Sequence, residues 1–129
     1  MTSIPMADII KNSEGMLRKK LYVVRTSPAG DDLSPLFEQI EDHIAYQLEI
    51  EKNGTLFAAG PVWTEETCAW NGEGMIVIRA DSLSAAKDIA NADPMHSSGA
   101  RVYSIEPWLI NEGNLSVQVS FSNSSMQIK

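Results

Sequence analysis

Two residues, His43 and Asp93, have types and positions that could support chemistry together. A carboxylate bound to a histidine fixes its tautomer and prepares it to act as a general base. His43 lies midway along one predicted helix, and Asp93 closes a second one. Helices packed side by side would bring them together near the end of a sheet. The spacing also permits another interpretation, in which His43 is a half-buried packing residue and Asp93 a turn residue.

A second histidine, His96, follows Asp93 in the sequence Asp93-Pro94-Met95-His96. Together with His43 and Asp93, it would make a set of two histidines and one carboxylate, which is a common metal-binding combination. No histidine spacing of the H-x-x-x-H kind supports that interpretation, so we expect no metal. His96 then either contacts a substrate or is a solvated loop residue.

A candidate pocket lining begins at Gly60-Pro61 and continues with Trp63. Glycine permits a ligand to approach the backbone closely, and aromatic side chains wall apolar pockets. The competing interpretation is a strand end followed by ordinary core tryptophans. Cys68 lacks a visibly placed base, and no G-x-S-x-G motif is present, so neither a thiol nor a serine nucleophile is expected.

The elements that would position these residues follow a β-α-β-β-α-β order, the ferredoxin-like arrangement of an α+β fold. The four strands are predicted at residues 21–24, 56–59, 75–78 and 100–109, the last with Val102 and Ile105 in the core. The first helix is predicted to begin with Ser34 as its cap and to end at Asn53-Gly54, and Ser82 caps the second. Both helices lie on one face of such a sheet, so the other face needs a partner.

The chain extends beyond this core at both ends. Residues 115–121 alternate apolar and polar side chains, which predicts one extra C-terminal strand that adds to a sheet edge of its own subunit or of a partner subunit, followed by a frayed end. We therefore divide the chain into an N-terminal extension (1–19), a central domain (20–113) and a C-terminal strand and tail (114–129).

Charge and composition exclude several classes of partner. The 129 residues carry a net charge of −7 and no basic face, which argues against nucleic acid. No apolar run reaches the roughly 18 residues that a membrane span needs, so we expect a soluble protein without a membrane partner. The single cysteine excludes an internal disulfide and agrees with a cytoplasmic location.

Taken in order, these short motifs resemble the YCII-related (YciI-like) domain family across residues 21–113. The motifs are His43-Ile44-Ala45-Tyr46, residues 54–61 ending in Gly60-Pro61, residues 82–86, Asp93-Pro94-Met95-His96, Gly99-Ala100-Arg101 and Pro107-Trp108-Leu109. The resemblance implies a dimeric α+β barrel, in which two four-stranded sheets pack face to face. It also implies that His43 and Asp93 match the family's proposed histidine–aspartate pair and that Gly60 and Pro61 line its pocket.

The resemblance leads to two functional hypotheses. The first is a cofactor-free lyase or isomerase, similar to a dehydrochlorinase or a muconolactone isomerase, that acts on a small metabolite derived from an aromatic ring. His43 and Asp93 would be its catalytic pair, and Gly60, Pro61, Trp63, His96 and Arg101 would bind the substrate. The second is a non-catalytic homodimeric module that binds a small ligand or supports a partner. A pocket beside a paired His43 and Asp93 would favour the enzyme, and a filled core would favour the module.

Overall fold

The computed structural model describes residues 2–129, which divide into two compact units. Lys20–Trp108 forms the larger unit, and the segments on either side of it form the smaller one. The elements in chain order are α1 (Met6–Asn12), β1 (Lys19–Pro28), α2 (Ser34–Lys52), β2 (Leu56–Pro61), β3 (Gly74–Ile78), α3 (Leu83–Ala92), α4 (Pro94–Ser97), β4 (Arg101–Ile110), β5 (Val117–Ser120) and β6 (Ser125–Ile128).

The larger unit is built on a four-stranded sheet in the order β2-β3-β1-β4. Strand β3 runs antiparallel to both of its neighbours, with Val23 opposite Val77 and Ala59 opposite Ile76. This order and the two long helices confirm the predicted ferredoxin-like α+β fold. Helix α4, a single turn directly after Asp93, was not predicted.

The core lies between one face of this sheet and the helices. Alternate residues of β1 and β3 pack against α2 and α3 because successive side chains of a strand point to opposite faces. Its buried members are Tyr22, Val24, Ile50, Ile76, Ile78, Ala86 and Ala90. Each large side chain among them contributes about 1.5–3 kcal/mol to folding through burial.

Strand β4 corrects one detail of the predicted core. Ile105 packs against the core cluster, whereas Val102 is 56% exposed. Two residues three positions apart on a strand face opposite sides of the sheet, so both could not be buried by the same helices.

The start of α2 also differs from the prediction. Ser34 is the first helical residue rather than the cap, and the N-cap position is occupied by Leu33. The carboxylate of Asp32 accepts hydrogen bonds from the Ser34 backbone N–H at 3.0 Å and from its hydroxyl at 2.8 Å. The end of the helix is as predicted, with Gly54 in the left-handed region at a φ of 85°.

The smaller unit contains α1 and a C-terminal β-hairpin. Strand β5 pairs antiparallel with β6, with Val117 opposite Ile128 and Val119 opposite Met126. The predicted strand is therefore present. Within residues 2–129 it pairs with β6 and not with an edge of the four-stranded sheet, and the prediction that the last residues fray is wrong. The chain turns back on itself, and residues 125–128 supply the partner strand. In residues 2–129, no helix combines the length and apolarity needed to span a bilayer.

The cap of α3 gives a direct test of this fold. The Ser82 hydroxyl oxygen accepts a hydrogen bond from the Ala85 N–H at 3.0 Å. We expect Ser82→Ala to lower the free energy of unfolding by about 1 kcal/mol, because that N–H loses its partner. Urea unfolding measures the loss. Ser84→Ala, an exposed serine inside the same helix, is the control and should not be destabilised. Equal stability of the Ser82 variant and wild type would contradict this capping role.

Candidate functional site

The larger unit brings His43 and Asp93 into direct contact. His43 Nδ1 donates to both oxygens of the Asp93 carboxylate, at 2.8 Å to Oδ1 and 2.9 Å to Oδ2. The side chains are 14% and 2% exposed, respectively. His43 is on the flank of α2, and Asp93 is the residue between α3 and α4. The contact expected from the sequence is thus present.

Asp93 is held by more than the histidine. It also accepts hydrogen bonds from Gln47 Nε2 at 3.0 Å and from the backbone N–H of Met95 at 2.9 Å, as the N-cap of α4. Burial alone would raise the pKa of Asp93, but the hydrogen bonds from His43 and Met95 outweigh it, so that the pKa lies below its ordinary value. The carboxylate is therefore ionised at neutral pH.

The bond to Asp93 determines which nitrogen of His43 is available. An ionised carboxylate only accepts hydrogen bonds, so Nδ1 carries the proton, and in the neutral imidazole Nε2 is then the acceptor. Nε2 makes no hydrogen bond to any residue in the described part of the chain, 2–129. His43 lines an open cleft of about 950 Å³. A tautomer fixed by a buried carboxylate, beside a cleft, is the arrangement of a general base.

The cleft lies between α2 and strands β2 and β3, and its walls are mostly apolar. Its lining includes Ile40, Ile44, Gln47 and Leu48 from α2, residues 56–61 of β2, and Trp63, Cys68 and Trp70 from the loop that follows. Ile44 and Leu48 are 50% and 56% exposed, so the apolar stripe of α2 is wider than the core it covers. The extra apolar residues line the cleft instead.

Gly60 and Pro61 line the cleft, as expected. The backbone at Gly60 would, however, accept a residue other than glycine. A Cβ added at Gly60 would meet no heavy atom within 4 Å, and its φ is not in the left-handed region. Strand β2 carries a bulge between Leu56 and Ala58. Bulges re-aim side chains and are frequent beside active sites. Trp63 is 57% exposed at the cleft rather than a core residue.

His96 uses both ring nitrogens within the protein. Nδ1 lies 2.7 Å from the Ala90 carbonyl, and Nε2 lies 2.8 Å from the hydroxyl of Thr26. Burial lowers the pKa of His96 below its ordinary value, so the ring is neutral at pH 7. Nδ1 then donates to Ala90, and Nε2 accepts from Thr26. Among residues 2–129 no group of three His, Cys, Asp or Glu side chains has a metal-binding arrangement.

Thr26 and Gln47 are two buried or half-buried polar residues of the cleft that sequence reasoning missed. Thr26 is 3% exposed and lines the cleft, so a contact between His96 and a substrate would pass through its hydroxyl. Nothing in the sequence distinguishes Thr26 from other strand threonines. Gln47 fell within the apolar stripe of α2, and a polar residue there signals an interaction, in this case with Asp93.

Arg101 completes the polar part of the cleft. It is 6% exposed, and its Nε donates to the Gly72 carbonyl at 3.0 Å. Its guanidinium carbon lies 5.9 Å from the centre of the Trp70 ring. His43, Arg101, Gly60, Pro61 and Trp63 therefore all line one cleft, with Asp93 and His96 directly behind it.

Comparison with family models matches the YCII-related domain over residues 21–109. The chain belongs to the YCII-related domain family. The match covers more than half of the 129 residues and includes every residue assigned above to the cleft. A search of curated proteins found no match.

Among solved structures, the fold is similar to 5-chloro-2-hydroxyhydroquinone dehydrochlorinase from Burkholderia phenoliruptrix AC1100, in complex with 2,5-dihydroxybenzoquinone. The TM-score is 0.56 at 16% sequence identity, and the match covers 68% of this chain and 92% of that one. At this identity the likeness supports a shared fold.

Protonation of His96 gives a pH test of the site. Below a pH of about 6.5 the unfolded chain binds a proton at this histidine, whereas the folded chain resists it because burial lowers the pKa. More protons are then bound by the unfolded state, so the free energy of unfolding should fall as the pH drops from 7 towards 5.

Urea unfolding across that range measures the effect. His96→Gln should remove this part of the slope, and Ser97→Ala, an exposed neighbour, should keep it. An unchanged slope in the His96 variant would show that the ring is not held neutral.

Proposed function

We propose that this protein is a lyase or isomerase that works without a cofactor, with His43 as the general base and Asp93 as its orienting partner. The observation that carries the proposal is the bond from His43 Nδ1 to a buried carboxylate while the residue lines an open cleft. Lyases and isomerases of small metabolites commonly begin by removing a proton, and a positioned histidine is the usual group for that step.

In this mechanism His43 Nε2 takes a proton from the substrate and becomes an imidazolium. Asp93 stabilises that cation and stays ionised, as the lowered pKa of its carboxyl requires. Gln47 and the Met95 N–H hold the carboxylate in place while the charge on His43 changes. In an isomerase the same nitrogen returns the proton to another atom of the substrate. In a lyase the electron pair left by the proton expels the leaving group with its bonding electrons, and His43 then releases the proton to water.

The shape of the cleft supports a small substrate with a ring. Trp63, Trp70 and Phe57 supply flat apolar surface, and Gly60 and Pro61 line the cleft without a long side chain. The similar fold of a dehydrochlorinase bound to a quinone adds support for a product of aromatic breakdown. We assign substrate contacts to Gly60, Pro61, Trp63 and Arg101, and a contact of His96 through Thr26.

The presence of a cleft also bears on the alternative, a non-catalytic module. A module of that kind needs no histidine with a fixed tautomer, and a filled core would have favoured it. The open volume next to His43 therefore argues for the enzyme.

The test uses 5-chloro-2-hydroxyhydroquinone as the first candidate substrate, with chloride release as the readout. We expect His43→Ala to reduce kcat by roughly a hundredfold or more, because the general base is lost. Asp93→Asn should reduce kcat more than it raises KM, since it changes the tautomer and not the walls of the cleft. Asp42→Asn, an exposed acid beside His43, is the control.

A second readout does not depend on turnover. Nitrogen-15 NMR should show His43 protonated at Nδ1 and bare at Nε2 in its neutral form, and 2,5-dihydroxybenzoquinone should shift its resonances. Full activity in His43→Ala, or the opposite tautomer, would refute the general-base role.

We further propose that the protein works in the cytoplasm, where a lone exposed Cys68 stays reduced.

We also propose that the protein is a homodimer. On the sheet face away from the helices, Met75 and Val102 are 40% and 56% exposed. A second copy would bury them. Sedimentation at micromolar concentration should give twice the 14.2 kDa of one chain. Val102→Asp should shift the distribution to monomer, with Ser84→Asp on the exposed side of α3 as a control for charge. A wild-type monomer would overturn the dimer.

A further inference from the structure

Arg101 is a buried cation without a carboxylate partner. It is 6% exposed, and no Asp or Glu of residues 2–129 lies within ion-pair distance of it. Asp93 attracts it at longer range, but that carboxylate already accepts bonds from His43, Gln47 and Met95. Buried charges in proteins are normally paired, so an unpaired one needs an explanation.

The orientation of Arg101 is fixed from one side. Its Nε–H is committed to the Gly72 carbonyl at 3.0 Å, and its flat group lies over the Trp70 ring. Gly72 has a φ of 84°, and a Cβ there would come within 2.6 Å of the Pro28 side chain. That position therefore requires glycine, and the tight turn sets the place of the carbonyl that holds the arginine.

The other side of the guanidinium is free. Its two terminal nitrogens make no hydrogen bond within residues 2–129. The fully buried side-chain atoms without a partner in that part of the chain are Gln47 Oε1 and Asn111 Oδ1, so neither terminal nitrogen of Arg101 is fully buried. Both are therefore accessible, and the space they reach is the cleft that Arg101 lines. Two parallel N–H groups of this kind match the two oxygens of a carboxylate or a pair of neighbouring ring oxygens.

We propose that Arg101 is an anion-binding subsite of the cleft and that the substrate is a small planar molecule with a carboxylate or an ionised ring hydroxyl. The proposal rests on the proposed function, which places the reacting carbon of the substrate near His43. Trp70 lies against the guanidinium and extends the apolar wall, so the anionic group and the ring of one ligand are bound by adjacent surfaces. The neutral state of His96 leaves Arg101 as the cation of this wall.

The test compares benzoate with benzamide, which has the same ring and nearly the same size but no charge. In an NMR titration of the full chain, benzoate should bind about tenfold tighter or more, as expected when hydrogen bonds go to a charged group. It should shift the Arg101 Nε–H and the Trp70 indole N–H. Equal affinities, no saturable benzoate binding, or shifts that spare both groups would overturn the proposal.

Variants provide the second part of the test. Arg101→Gln should remove the preference for benzoate, Arg101→Lys should keep part of it through its charge, and Arg25→Gln, an exposed arginine on β1, should leave it unchanged. Circular dichroism checks folding, and the wild-type titration decides the question if Arg101→Gln does not fold. An undiminished preference in folded Arg101→Gln would refute the subsite.

His43→Ala separates this proposal from the proposed function. The variant should still prefer benzoate, because Arg101 is intact, while it loses turnover. An active His43→Ala that retains the preference would refute the general base alone. If His43→Ala is inactive, and neither this variant nor the wild type discriminates benzoate from benzamide, the anion subsite alone is refuted.

Discussion

The buried carboxylate of Asp93 is the interaction on which the rest of the site depends. It accepts hydrogen bonds from the His43 imidazole and the Gln47 amide, which are both on α2, and from the Met95 N–H of α4, and so joins α2 to the junction of α3 and α4. An ion of this kind is costly to bury and becomes tolerable only when its oxygens are fully occupied. Helix α2 is therefore held at a defined distance from the turn that follows α3, and that distance keeps His43 at the wall of the cleft.

The sequence predicted much of this arrangement because several signals agreed. Glycine and proline marked the ends of the strands, Ser82 marked the start of α3, and a three-four spacing marked α2. The motif order of the family then identified His43 and Asp93, which spacing alone left open. The two residues are 50 positions apart in the chain, and their contact depends on how the helices that carry them pack together.

Other features could not be read from the sequence, for physical reasons that differ. The hairpin of β5 and β6 was missed because its turn lacks an Asn-Gly or Asp-Gly signal and the second strand has only four residues. The charge environment of Arg101 depends on the absence of an acid nearby in space, and a sequence shows only neighbours along the chain. Thr26 has a role because of a histidine 70 positions away. Val102 was misplaced by counting apolar residues without regard to the alternation of a strand.

The bulge in β2 has a consequence for how related chains are compared. Leu56 is opposite Ile78 but Ala58 is opposite Val77, so the strand contains one residue more than its partner at Phe57. From there on, Ala59 and Pro61 share a face with Ile76 and Gly74, and the residues between them are turned to the other side. A homologue without the extra residue would have its cleft wall formed by the alternate set of side chains. An alignment that places no gap near Phe57 would then equate inward residues of one protein with outward residues of the other, and specificity inferred from such columns would be assigned to the wrong positions.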